Sequence, residues 1–121
     1  MSLPVDIWLR GTDTATTEQI EGVSRPPSEW RDEDVRLVLE GMLRAMDRRK
    51  RPGEADREIS LRGLSWIVNP YEDDEGRGVV IAIEITMGAA IAGPFQIEKG
   101  ALEGMIARVL AAAVPPSATV H

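Results

Sequence analysis

A chain of 121 residues, 43% apolar and 28% charged, has the size and composition of one domain around one core. Cysteine is absent, which excludes disulfides and thiol nucleophiles, and with His121 as the single histidine no His- or Cys-type metal site can be assembled within one chain and a His-based triad is close to excluded. The net charge of −6 argues against general binding to nucleic acid or anionic membrane, and no run nears the ~18 apolar residues of a membrane span.

Over residues 3–9, Leu3, Val5, Ile7 and Leu9 alternate with Pro4, Asp6, Trp8 and the following Arg10, the period of a strand with one buried face. Pro4 confines it to a sheet edge or a strand start. Residues 11–27, rich in Thr, Ser, Gly and Pro, read as a connection with one weak helical turn around Thr17 to Val23. So long a connection is unusual in a compact domain. Residues 1–27 are therefore expected to be an N-terminal strand and linker that pairs with a neighbouring subunit or stays partly unordered. Met1 to Asp6 lacks the basic and apolar regions of a secretory signal, and together with the absence of cysteine this points to the cytoplasm.

A helix is expected to start after Ser28 or Asp32, either of which could cap it. Val35, Val38, Leu39, Met42, Leu43 and Met46 recur at three- and four-residue steps and form one apolar stripe. Acidic Glu29, Asp32, Glu33 and Asp34 stand at its start and basic Arg44, Arg48, Arg49, Lys50 and Arg51 at its end, the order that suits the helix dipole. Pro52-Gly53 stops it.

Two alternating runs follow around an acidic loop. Leu64, Trp66 and Val68 share one phase, and Ile81, Ile83, Ile85 and Met87 another. A turn centred near Asp74 sets Val68 opposite Ile81, Trp66 opposite Ile83 and Leu64 opposite Ile85, so one antiparallel register buries both runs. Gly88 to Phe95 is small and apolar, and a short strand is expected over Ala89 to Ala92. The last helix is expected from Ile97 to Ala113, with Ala101, Leu102, Met105, Ile106, Val109 and Leu110 on its apolar side. One α+β domain is thus expected over residues 28–114: a mainly antiparallel sheet of three or four strands with two helices on one face, in the order β-α-β-β-β-α. Residues 115–121 read as a flexible tail.

Few residues suggest chemistry. Glu84 interrupts the apolar run from Val79 to Met87, and the register puts it on the face opposite Trp66 with Ser65 and Thr86. A covered carboxylate there could bind a ligand or exchange a proton; an exposed one is an ordinary outward residue of a one-sided sheet. Gly100 and Gly104 stand four apart in a helix, at a cost of about 1 kcal/mol each. They suit close packing on the sheet or a helix contact across a dimer. Ile7 and Leu9 on the N-terminal strand join them as candidate interface residues.

Arg48 to Arg51 is the one basic cluster, and it contains no aromatic residue to stack on bases. The helix–strands–helix order resembles the layout of double-stranded-RNA-binding domains, but Gln96-Ile97-Glu98-Lys99-Gly100 lacks the basic residues those domains carry at the start of the last helix. The acidic stretch Tyr71 to Gly76 lacks the spaced ligands of a calcium loop. No metal or cofactor is expected. The leading expectation is a small soluble non-enzymatic binding or adaptor protein, a homodimer acting through protein contacts. The alternatives are a small-molecule site or minor enzyme near Gly88 to Gln96, and nucleic-acid binding through Arg48 to Arg51.

Overall fold

Alternating side chains in the N-terminal strand and the central hairpin put one face of a sheet under cover, and two amphipathic helices provide it. The computed structural model describes residues 3–12, 14–21, 23–54, 59–61, 64–73 and 76–113. Its elements are β1 (Leu3–Leu9), β2 (Thr16–Ile20), a 3-10 turn (Pro27–Glu29), α1 (Asp32–Lys50), β3 (Ser65–Asp73), β4 (Gly76–Ile85), β5 (Gly88–Phe95) and α2 (Lys99–Ala112). The strands form one five-stranded antiparallel sheet in the order β2-β1-β5-β4-β3.

The central hairpin adopts the expected register, with Trp66 opposite Ile83 and Val68 opposite Ile81. Leu64 stands one residue before β3, half-buried against the core. The turn itself, at residues 74–75, lies outside the described residues, as does the expected tail at 115–121. On α1 the whole apolar stripe from Val35 to Met46 is buried. The helix begins at Asp32, and neither Ser28 nor Asp32 caps it. Ser28 lies in the 3-10 turn, and the Asp34 carboxylate accepts the Arg31 backbone N–H at 2.9 Å. A carboxylate in the first turn thus satisfies one of the orphan donors there. In α2 the cap is Glu98, whose side chain accepts from the N–H groups of Gly100 and Ala101 at 2.7 and 3.0 Å.

The N-terminal segment departs from expectation. Residues 11–27 are not a bare connection with a helical turn, because Thr16–Ile20 is a strand. It pairs with β1 from Leu3↔Ile20 to Ile7↔Thr16. Its β-branched Thr16, Thr17 and Ile20 favour extended backbone, but as an edge strand it buries only Ile20 and so shows no clear alternation. β1 is not detached either: it sits between β2 and β5, with Val5 opposite Ala92 and Leu9 opposite Gly88. Pro4 keeps the strand-start role assigned to it, since β1 pairs only with β2 there and meets β5 from Val5 onward.

The third strand of the central meander is longer than Ala89 to Ala92. It runs from Gly88 to Phe95, with an irregularity opposite Val79 to Ile81 and a cis Gly93–Pro94 bond. The core therefore draws on more chain than the two alternating runs. Val5, Ile7, Ile20, Trp30, Ala92 and Phe95 join Leu39, Met42, Ile81, Ile83, Leu102 and Ile106. Trp66 and Ile85, expected in the core, are half-buried at its border.

Candidate functional site

Because both helices lie on one side of the sheet, no described element covers the other face, and the ladders fix what this open face displays. One row across it reads Trp8, Ala89, Glu84, Ser65; the next reads Thr17, Asp6, Ile91, Ala82, Ile67. Val80 stands beside Asn69, and Tyr71 beside Gly78. Trp8, Ile67 and Tyr71 are 37%, 53% and 44% exposed. Small Ala82 and Ala89 lie lower than Ile67 and Ile91, leaving a hollow of about 350 Å³ that Ser65 and Glu84 also border. Asp6 is held by a hydrogen bond from the Thr17 hydroxyl, 2.6 Å.

Of the expected ligand-binding residues, Ser65 and Glu84 stand side by side on this face as a direct cross-strand pair. Glu84 is exposed. Thr86 follows the end of β4, and its carbonyl accepts from Arg10 Nε at 2.9 Å. The expected interface residues are scattered. Ile7 lies in the core at 1% exposure, and Leu9 is half-buried at the end of β1.

Among the described residues, Gly100 and Gly104 are not packed tightly on the sheet or on another helix. A Cβ at Gly100 would come nearest the Glu98 carboxylate group, and one at Gly104 would meet the Arg108 guanidinium at 3.4 Å. Both glycines line a cleft of about 810 Å³ with Trp30, Gln96 and Arg108. Trp30 is fixed there by its indole N–H, which donates to the Arg25 carbonyl at 3.0 Å, and by Phe95, whose ring centre is 4.8 Å away.

Arg108 closes the cleft toward α1 through two hydrogen bonds to Asp32, both 2.9 Å. Those bonds, with the charge attraction, hold the Asp32 carboxyl below its ordinary value and raise Arg108. At the other end of α1, Arg49 pairs with Glu18 of β2 at 3.6 Å, and Arg51 Nη2 donates to both Asp47 oxygens at 2.7 and 2.8 Å. These two arginines of the basic cluster therefore bind acidic side chains of the same molecule.

Among the described residues, no three His, Cys, Asp or Glu side chains come together in a group able to hold a metal ion, and no helix is long and apolar enough to cross a membrane. What sequence reasoning overlooks is the open face itself. Its signal is present: Trp8, Ile67 and Tyr71 occupy the outward phase of strands whose inward phase is already apolar. No protein-family model, curated protein or solved structure matches this chain.

Proposed function

We propose that this chain is a small non-enzymatic binding or adaptor protein that acts through protein contacts on the open face of its sheet, self-association included. One observation carries the reading. Of the four large apolar side chains that stand exposed among the described residues, Trp8, Ile67 and Tyr71 share that face, and only Leu37 lies elsewhere, on α1. Single apolar residues scattered over a surface are ordinary, whereas their concentration on one face points to an interaction site. Aromatic anchors ringed by small residues are also what protein interfaces favour. A cytoplasmic setting belongs to the same proposal and is consistent with a cysteine-free chain.

The experiment is affinity capture from native cells with the full chain and with Ile91→Asp, which charges the centre of the open face. Circular dichroism checks that the fold is kept. A protein retained by the wild type and lost with Ile91→Asp is the expected result. Identical captures would refute the reading.

The hollow over Ala82 and Ala89 supports a second reading, a small apolar ligand held beside Ser65 and Glu84, since its volume is at the lower end of ligand sites. It predicts saturable binding of an apolar fluorescent probe that Ala82→Leu abolishes; binding unchanged by that filling would end it.

A further inference from the structure

Among the described residues the sheet ends in two edge strands, β2 and β3, and they differ. β2 has five residues, Thr-Thr-Glu-Gln-Ile, with Glu18 and Thr16 engaged by Arg49. β3 has nine, and Ile67, the most exposed large apolar side chain of those described, sits on it. Natural edges are blunted by charge or proline to prevent pairing with another chain. On β3 such blunting begins only at Pro70: Ser65 to Asn69 carries neither charge nor proline.

We propose that two copies of this chain pair antiparallel along β3, about a two-fold axis at Ile67, and join their sheets into one. The proposal goes beyond the open-face reading above, naming a second copy as the occupant of this edge.

The polarity of β3 is what selects a second copy. Pairing about Ile67 sets Trp66 opposite Val68 of the second copy on the helix side, apolar against apolar. On the open side it sets Ser65 opposite Asn69 of the second copy, polar against polar, and Ile67 opposite its own equivalent. Moving the axis by one residue sets Ser65 against Ile67, or Ile67 against Asn69, and mixes the two classes. The segment is thus a palindrome of polarity with one favoured register. Trp66, half-buried in one chain, would gain cover from the added strand.

Charge permits the contact despite the net −6 of each chain. In this register the exposed Glu84 residues, each one strand in beside Ser65, lie roughly 20 Å apart across the paired strands, more than two Debye lengths at physiological salt. The pairing also closes, since each copy spends its β3 and leaves the short polar β2 outermost, so growth stops at two.

A cysteine-free chain makes the test clean. In the proposed pair, Ile67→Cys faces its own equivalent at a Cα distance of about 4.5–5.5 Å, within reach of a disulfide. Asn69→Cys stands about 13 Å from its equivalent and cannot bridge. The expected result under mild oxidation is a covalent dimer from Ile67→Cys and none from Asn69→Cys. Mixed Ser65→Cys and Asn69→Cys proteins should give a heterodimer. Light scattering of the unmodified full chain should give twice the chain mass, and Ile67→Lys should return it to the monomer with its circular dichroism unchanged.

A monomeric unmodified chain would overturn the proposal, even if a foreign strand were later found on this edge. Equal cross-linking of Ile67→Cys and Asn69→Cys would overturn it too. The open-face reading fails separately. Ile91→Asp should leave the dimer mass unchanged, so a dimer whose captures ignore Ile91→Asp keeps the edge pairing and rejects the face, and a monomer whose captures depend on Ile91 does the reverse.

Discussion

Replacing Gly104 by alanine should stabilise this protein, and the sign of the effect reports on whether α2 meets anything beyond its own chain. Glycine inside a helix is about 1 kcal/mol less favourable than alanine. Among the described residues, and apart from its own helix backbone, an added Cβ would have one neighbour within 4 Å, the Arg108 Nη1 at 3.4 Å, an ordinary contact with the end of a long side chain. Nothing opposes the gain in helix propensity, so the expected change is about 0.7–1 kcal/mol. With an unfolding entropy of about 2.1 cal/mol/K per residue, a chain of this length responds by roughly 3–4 °C. Thermal and urea melts followed by circular dichroism at pH 7 would measure it. A fall in Tm would refute the reasoning, because it would mean that a backbone not present in the single chain rests against Gly104. Gly100→Ala serves as the comparison. There the Cβ would stand 3.1 Å from Glu98 Oε2, the cap must shift, and a change near zero is expected.

Asp34→Ala should destabilise by about 2–3 kcal/mol in urea melts, since the buried carboxylate accepts the Arg31 N–H and an Arg25 guanidinium N–H at 3.1 Å; Arg25→Ala, removing a partly exposed partner, should cost about 1 kcal/mol. Gly88→Ala should cost about 3 kcal/mol, because its Cβ would strike the Trp8 carbonyl and lie 2.9 Å from Leu9 Cα, forcing apart the end of the β1–β5 ladder. The acid limb of stability should contain an Asp32 contribution. Arg108 lowers the Asp32 carboxyl, so this stabilisation is complete above the ordinary carboxyl value near pH 4 and is lost as pH falls through the lowered folded-state value. The advantage of the wild type over Arg108→Gln should therefore be constant at neutral pH and shrink in urea melts toward pH 2; an advantage that grows on acidification would contradict the pairing.

How far the fold is legible follows from where each constraint is stored. The hairpin of β3 and β4 carries its own register, because two apolar phases must meet on one face, and Trp66↔Ile83 is the solution. The first helix is equally local, with its stripe, its acidic start, its basic end and Pro52-Gly53 all in one stretch. β2 is hidden because only one of its side chains enters the core, so Thr16 to Ile20 reads as loop composition. The place of β1 is hidden for a different reason: alternation says that Leu3 to Leu9 has a buried face, but the partner across Val5 is Ala92, a pairing no local pattern encodes. Gly100 and Gly104 share a helix face by spacing alone, and spacing does not say that the face meets a cleft.

The candidate site obeys the same logic with the sign reversed. Once the parity of each strand is known, the residues of the covered face are accounted for, and function must be sought among those left over. Ser65 and Glu84 emerge from that subtraction as a pair, and so do Trp8, Ile67, Tyr71 and Ile91, which are apolar where the phase calls for polar. Strand propensity favours such residues, but a one-sided sheet gains little burial by setting an indole and a branched aliphatic side chain on its uncovered face. Their presence on the uncovered face, together with an uncharged edge from Ser65 to Asn69, is the physical ground for the proposed protein-contact reading.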